Sequence, residues 1–580
     1  MKKFNLFLFL ILTLPAGFTG YGQGTSPVPG KEYATGSFQT SFGSSKNEGI
    51  QILKGKLDSK PHTKWEFQLP HGAEAHVSIG DVDNDYNSEV VLVSGGSGAG
   101  ALICIDGATG IEKWRISPSG LTGFGQNAAT IADVDNNGDM EVLYATDSFA
   151  VAVNGEDGSE LWRFPGCSQN ISVCADDIDN DGEVEVITLT ADFVHSVNGT
   201  TGLAEWSTQI CTGLNSEKQY SSPAIGDVNC DGSMEIFVQT GKYNNIRSLV
   251  CLSGSDGSIV WKYDWSVGGS TSNYPSPIIA DLNEDCSDDV LINGPDHKLI
   301  ALSGYDKSLI FSVDGGSSSG TPIVADIDYD GHLEIIQRFN QRIIARRGID
   351  GDTLWLNQSL SEGLGGWWSQ TPVVGDFNAA NPGLELVVST SYSPTTNKIY
   401  MLSNTGNILW EYRVEDHTYE GMAVGDIDDD GCIEIVGVPD CCFGSNTVVA
   451  LDDLAGSTNC GLIPVPLPTS SSTEFYPRDT ISCDSVINFR SIPNPCVTSY
   501  SWIFENGTPA NSTMKNPGNV TFPGAGTYNV TLTSDFSNGC VETTVHTVTI
   551  ACIPQVSVIG SEICEGSPGT VKAIVSGGTA

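Results

Sequence analysis

The sequence runs to 580 residues and 61.4 kDa, more than one ordinary core accommodates, and predicts two to four domains or a repeat fold. Lys and Arg total 27 against 70 Asp and Glu, a formal net charge of −43 that argues against nucleic acid and anionic membrane as partners, since both need clustered cations. Charged residues are 17% and hydrophobic residues 39%, too apolar for an acidic disordered tail, while 66 glycines and 27 prolines suit many tight turns between short strands.

The chain opens Met1-Lys2-Lys3, continues with an apolar stretch from Phe4 to Leu14, and leaves through Pro15 and small residues. That order of charge, apolar run and small-residue exit predicts a signal peptide over 1–23 and export, followed by an N-terminal segment over 24–49. The run is too short to span a bilayer and no later segment is long enough, so no transmembrane segment is expected. No cysteine precedes Cys104, so the expected location is secreted or cell-surface without a lipid anchor. Sixteen cysteines in an exported chain favour disulfides, and Cys167 with Cys174, Cys496 with Cys540, and Cys483 with Cys552 are candidate pairs.

Between Gly80 and Val438 one pattern recurs eight times, as in IADVDNNGDMEVLYA (131–145) and VADIDYDGHLEIIQR (324–338). Its leading aspartates are Asp81, Asp133, Asp177, Asp227, Asp281, Asp326, Asp376 and Asp426, spaced by 44 to 54 residues. After each loop come an apolar strand, a turn, and a strand centred on an aromatic: Trp114, Trp162, Trp206, Trp261, Phe311, Trp355 or Trp410. Four strands per unit at this period is the pattern of a propeller blade. The eighth unit lacks its aromatic strand, and an orphan strand, TKWEFQL (63–69), precedes the first loop. Inserting it into the last unit closes the ring and hides a sheet edge, which predicts eight blades over 50–460, with seven as the fallback.

The loops place oxygen side chains at positions 1, 3 and 5, glycine at 6 and an acid at 9, a spacing that converges hard oxygens on one point. The predicted ligands of the first three loops are Asp81, Asp83, Asp85, Glu89; Asp133, Asp135, Asn137, Glu141; and Asp177, Asp179, Asp181, Glu185. Those of the next two are Asp227, Asn229, Asp231, Glu235 and Asp281, Asn283, Asp285, Asp289. The sixth and eighth offer Asp326, Asp328, Asp330, Glu334 and Asp426, Asp428, Asp430, Glu434. Tyr86 and Cys286 stand where glycine belongs in the first and fifth loops, and the seventh (Asp376, Asn378, Ala380, Glu385) gains a residue and is expected empty. About seven Ca2+ sites follow, with magnesium second choice because it demands a stricter octahedron and more water. Thiolate and imidazole, which transition metals prefer, are scarce in these loops.

These loops resemble the FG-GAP/VCBS repeats of extracellular calcium-binding β-propellers over roughly residues 50–460. The aromatic strands, with IDGATGIEKW at 105–114, resemble the tryptophan-docking repeat of quinoprotein-type propellers, in which the tryptophan locks neighbouring blades. After a Pro/Ser-rich linker over 461–474, the segment 475–552 is similar to a PKD domain, an immunoglobulin-like β-sandwich, through Trp502, Phe504, Gly507, Asn516-Pro517, Phe522, Gly526-Thr527-Tyr528 and Leu532. Residues 553–580 look like the start of a further such module, which implies a longer chain.

The expected fold is therefore all-β: an eight-bladed propeller followed by an immunoglobulin-like sandwich. The expected role is non-catalytic adhesion or recognition, with an extracellular glycan or protein as ligand and a monomeric propeller. Gly316-Ser-Ser318-Ser-Gly320 matches a hydrolase elbow literally, but a strand follows where that elbow needs a helix. A calcium-dependent polysaccharide lyase and a quinoprotein dehydrogenase, the latter suggested by the vicinal Cys441-Cys442, are the enzyme alternatives. Gly365-Gly-Trp367-Trp368 is a candidate sugar-stacking loop.

Overall fold

The computed structural model describes residues 62–576 with breaks, the longest at 118–127, 212–221, 267–275, 361–371, 390–397, 440–446, 453–474 and 561–570. The predicted signal peptide, Cys441-Cys442, Trp367-Trp368, and the candidate cysteine pairs 483/552 and 496/540 lie outside the described residues. The chain divides into two compact units, Met1–Thr469 and Ser470–Ala580. Among the described residues there is no α-helix, and none long and apolar enough to cross a membrane.

Among its described residues the first unit contains eight four-stranded antiparallel sheets. Seven are built from consecutive strands; the first comprises Glu74–Gly80, Glu89–Gly95, Ala101–Asp106 and Glu112–Ile116. The eighth joins Tyr419–Gly425, Glu434–Pro439 and Thr447–Asp452 to the distant strand His62–Gln68, with Trp65 opposite Ala450. The orphan strand thus completes the last sheet. Central strands such as Glu141–Ala145 and Glu185–Leu189 are buried along their whole length because both faces of each sheet are covered, so they read as apolar runs rather than alternations.

Aromatic side chains fasten sheet to sheet. Trp114 donates its indole N–H to the carbonyl of Gly155 (2.7 Å), Trp206 to Gly254 (2.8 Å), Trp261 to Gly304 (3.0 Å) and Trp355 to Asn404 (2.7 Å), in each case on the following sheet. Trp65 of the eighth sheet makes the same bond to Gly107 of the first, so the series closes on itself. The ring of Trp65 also lies on Gly110, whose φ of +71° admits glycine readily and whose absent Cβ would fall 2.7 Å from the indole.

The second unit holds a five-stranded and a three-stranded sheet around a core of Phe475, Phe489, Trp502, Phe504, Phe522 and Leu532. Strand Gly526–Phe536 buries alternate residues, Tyr528, Val530 and Leu532 among them, as its sequence alternation predicts. Trp502 is fully buried, stacks on Phe504 at 5.7 Å, and gives its indole N–H to Met514, a packing role.

One expected pairing is corrected. Cys167 and Cys174 share one buried cluster but form no disulfide: Thr188 donates to the Cys167 sulfur and the Cys174 thiol faces the carbonyl of Pro223.

Candidate metal centres

Each Asp loop is the connection between the first two strands of its sheet. In the second sheet Ala132 pairs with Glu141, so eight residues separate the partners. Asp176 with Glu185 and Ala325 with Glu334 repeat that register. The seventh loop joins Gly375 to Glu385 and is one residue longer, as its sequence indicates. Tight closure needs left-handed backbone at positions 4 and 6: Asn136 has φ +56° and Gly138 +93°, Asn180 +61° and Gly182 +91°.

The leading aspartate anchors the loop backbone. Asp133 accepts N–H bonds from Asn137 (3.1 Å) and Gly138 (2.9 Å), Asp177 from Asp181 and Gly182, and Asp326 from Asp330 and Gly331. The acid at position 9 is held from the other side. One oxygen of Glu141 accepts the N–H of Val134 (2.9 Å), and Glu89, Glu185, Glu235, Asp289, Glu334 and Glu434 take the same bond from Val82, Ile178, Val228, Leu282, Ile327 and Ile427.

The second oxygen of that acid turns inward. Ligand atoms of Asp133, Asp135 and Glu141 lie within 4.8 Å of one another, as do those of Asp177, Asp179 and Glu185, of Asp326, Asp328 and Glu334, of Asp426, Asp428 and Glu434, and of Asp81, Asp83 and Asp85. Glu141 Oε1, Asp179 Oδ1, Asp289 Oδ1 and Glu434 Oε1 are buried and accept no hydrogen bond. A buried carboxylate oxygen without a donor costs free energy unless a cation or proton meets it. Burial pushes Glu141 and Glu334 up to about 8 and Glu185 and Asp289 up to about 9, with the neighbouring carboxylates adding to the rise. Glu434 is likewise raised well above the usual carboxyl range, by burial first and then by Asp428. An all-oxygen donor set with unmet buried acceptors fits a hard divalent cation.

The position-5 residues also bond within their own turns. Asn137, Asp181 and Asp330 are exposed and their side chains accept the backbone N–H two residues on, at 2.6, 2.8 and 2.9 Å. Each stabilises its own turn, since a short polar side chain after a left-handed residue readily bonds its own backbone. In the fourth loop Asn229 donates to Glu235 (2.7 Å), while Asp231 lies outside the described residues, as do Asp376, Asn378 and Asp430. In the fifth, Asn283 and Asp285 accept turn N–H groups and Asp289 stands buried beneath them.

Two lysines enter these centres unannounced by the loop pattern. Lys113 contacts Asp83 and also Glu89 Oε1 (2.9 Å) and Asp85 (3.5 Å) in the first loop. Lys64 contacts Asp428 of the eighth loop and Asp452 (2.9 Å). Burial opposes their charge, but the carboxylate hydrogen bonds outweigh it and raise both ammonium groups above the usual lysine range.

Residues 64–235 match the PQQ_2 family model, described as outer membrane protein assembly factor BamB. No curated protein matches the chain in sequence. Among solved structures, BamB from Moraxella catarrhalis is similar at 12% identity and a TM-score of 0.44, covering 68% of this chain and all of that one. A europium-containing methanol dehydrogenase aligns at 9% identity and TM-score 0.48 over 68% of this chain and 93% of its own. Quinohemoprotein alcohol dehydrogenase from Comamonas testosteroni aligns at 12% and 0.46 over 69% and 78%. The matched range begins within the orphan strand and ends at Glu235 of the fourth sheet. The chain is an all-β protein of repeated four-stranded sheets with a β-propeller architecture, similar over residues 64–235 to the BamB-type family.

Proposed function

We propose that the chain is an exported, calcium-stabilised, eight-bladed β-propeller acting as a non-catalytic recognition protein at the cell surface, with a protein or glycan ligand. The eight four-stranded sheets support the blade count, and the Trp65 bond to Gly107 supports closure by strand exchange. The observation that carries the calcium reading is the set of buried oxygens at Glu141, Asp179, Asp289 and Glu434 that accept no hydrogen bond yet point into carboxylate loops. Calcium tolerates the mixed carboxylate and amide donors of Asp281, Asn283 and Asp289, and its charge relieves the repulsion of a chain at −43.

The FG-GAP/VCBS resemblance of the loops and the PKD resemblance of residues 475–552 support an extracellular binding role. The match of residues 64–235 to a family described as an outer membrane protein assembly factor is compatible with a protein ligand. The test is a binding screen in calcium against glycans and matrix proteins, run beside alcohol-oxidation and pectate-cleavage assays with added quinone and calcium. Saturable, chelator-sensitive binding without turnover is expected. Turnover with either substrate overturns the reading.

A further inference from the structure

Every one of the eight sheets has a β-bulge one residue before its docking aromatic. In the first sheet Glu112 opposes Ile105 and Trp114 opposes Cys104, leaving Lys113 unpaired between them. In the eighth, Thr63 opposes Leu451 and Trp65 opposes Ala450, leaving Lys64. The other sheets shift register at the same place. A bulge re-aims the extra side chain, and here the two lysine ends reach the Asp loop of their own sheet. The bulge residue is Glu205 in the third sheet and apolar in the rest, for example Leu161 and Leu354.

We infer that the bulge residue decides which Asp loops take a metal ion: Lys113 is a tethered cation that fills the first loop in place of calcium, and Lys64 weakens the eighth. Lys113 bonds Glu89 Oε1, the counterpart of the Glu141 Oε1 and Glu434 Oε1 atoms that lack a donor elsewhere. It also holds Asp83 and Asp85, so a divalent ion there competes with a fixed ammonium for the same oxygens. Among the described residues Lys64 contacts Asp428 of its loop, while Glu434 Oε1 accepts no hydrogen bond, a partial substitution. The side chains are short of free water, at 23% and 13% exposure, so neither ammonium is screened away. This inference rests on the calcium reading of the loops.

The test counts calcium per full-length chain by dialysis and elemental analysis, in wild type and in Lys113→Met, Lys64→Met, Asp83→Asn and Asp135→Asn. Lys113→Met is expected to gain one ion per chain, and Lys64→Met to lower the dissociation constant of the weakest class at least tenfold. Asp135→Asn should lose one ion, and Asp83→Asn none while Lys113 is present. No gain in Lys113→Met, with one ion lost in Asp135→Asn, overturns the inference and leaves the calcium reading standing. Should Lys113→Met fail to fold, Asp83→Asn decides, and the loss of an ion there overturns the inference. A wild-type chain without calcium overturns both.

Discussion

Trp65 donates its indole N–H to the carbonyl of Gly107 at 2.6 Å, joining the sheet completed by the first described strand to the sheet that follows it in sequence. A Cβ on Gly107 would stand 2.3 Å from the Ser88 carbonyl oxygen and 2.6 Å from that of Ile427, both backbone atoms that cannot yield cheaply. Trp65→Ala is expected to destabilise the first unit by about 3–5 kcal/mol, as for other buried large-to-small changes. Gly107→Ala should cost a comparable amount. Denaturant midpoints in calcium measure both, and a cost below about 1 kcal/mol for either contradicts the closure.

In chelator the pH dependence has a definite sign. Glu141 and Glu334 titrate near 8 and Glu185 and Asp289 near 9 in the fold, above the ordinary 4.5 and 3.8 of unfolded carboxyls. The folded state therefore binds more protons. Its advantage is complete below the unfolded values and is lost as pH rises through 8 to 9. Melting temperature in chelator is expected to fall from about pH 5 to 9, while the gap between melts in calcium and in chelator widens over that window because calcium needs ionised ligands. A flat chelator profile contradicts it.

Glu141→Gln separates the two costs at one loop. Glutamine can still accept the Val134 N–H but brings no charge to Asp133 and Asp135. In chelator at pH 8 the variant should equal or exceed wild type by about 1 kcal/mol, since a buried uncompensated charge is gone. In calcium it should be less stable by about 1–3 kcal/mol through loss of one bound ion. Urea melts in the two conditions give the crossing, and the same sign in both contradicts it.

Adjacent loops are tied by their position-4 residues. Asn84 donates to Gly138 at 2.6 Å and Asn136 to Gly182 at 2.9 Å, each on the next sheet. Asn136→Ala loses that bond and places alanine at φ +56°, for an expected cost of about 1–2 kcal/mol. Asn136→Gly keeps the backbone and should cost about 1 kcal/mol or less. Thermal melts of the pair check the order, and an equal effect contradicts the backbone share.

The Asp loops, the aromatic strands and the strand exchange were legible because each is set by a local pattern repeated at a fixed period. The spacing of Asp133, Asp135 and Glu141 was enough to place their side chains in one cluster. Spacing alone does not reveal that Asn137, Asp181 and Asp330 also accept the backbone N–H two residues on. Lys113 and Lys64 went unseen because their reach depends on a bulge, which sequence alternation does not reveal, although a lysine directly before Trp65 and Trp114 and before no other docking aromatic was a usable signal. The Cys167 and Cys174 thiols show the converse, closeness in sequence without a disulfide.

The most direct measurement is the calcium content of the full-length chain by elemental analysis, paired with thermal melts in calcium and in chelator. The loops without a bulge lysine number five once the seventh is set aside, so about five tightly held calcium ions and a melting temperature lowered by many degrees in chelator are predicted. A calcium content near zero with superimposable melts would contradict the account: the Asp loops would then be turns, and the fold would stand on its tryptophan docking alone.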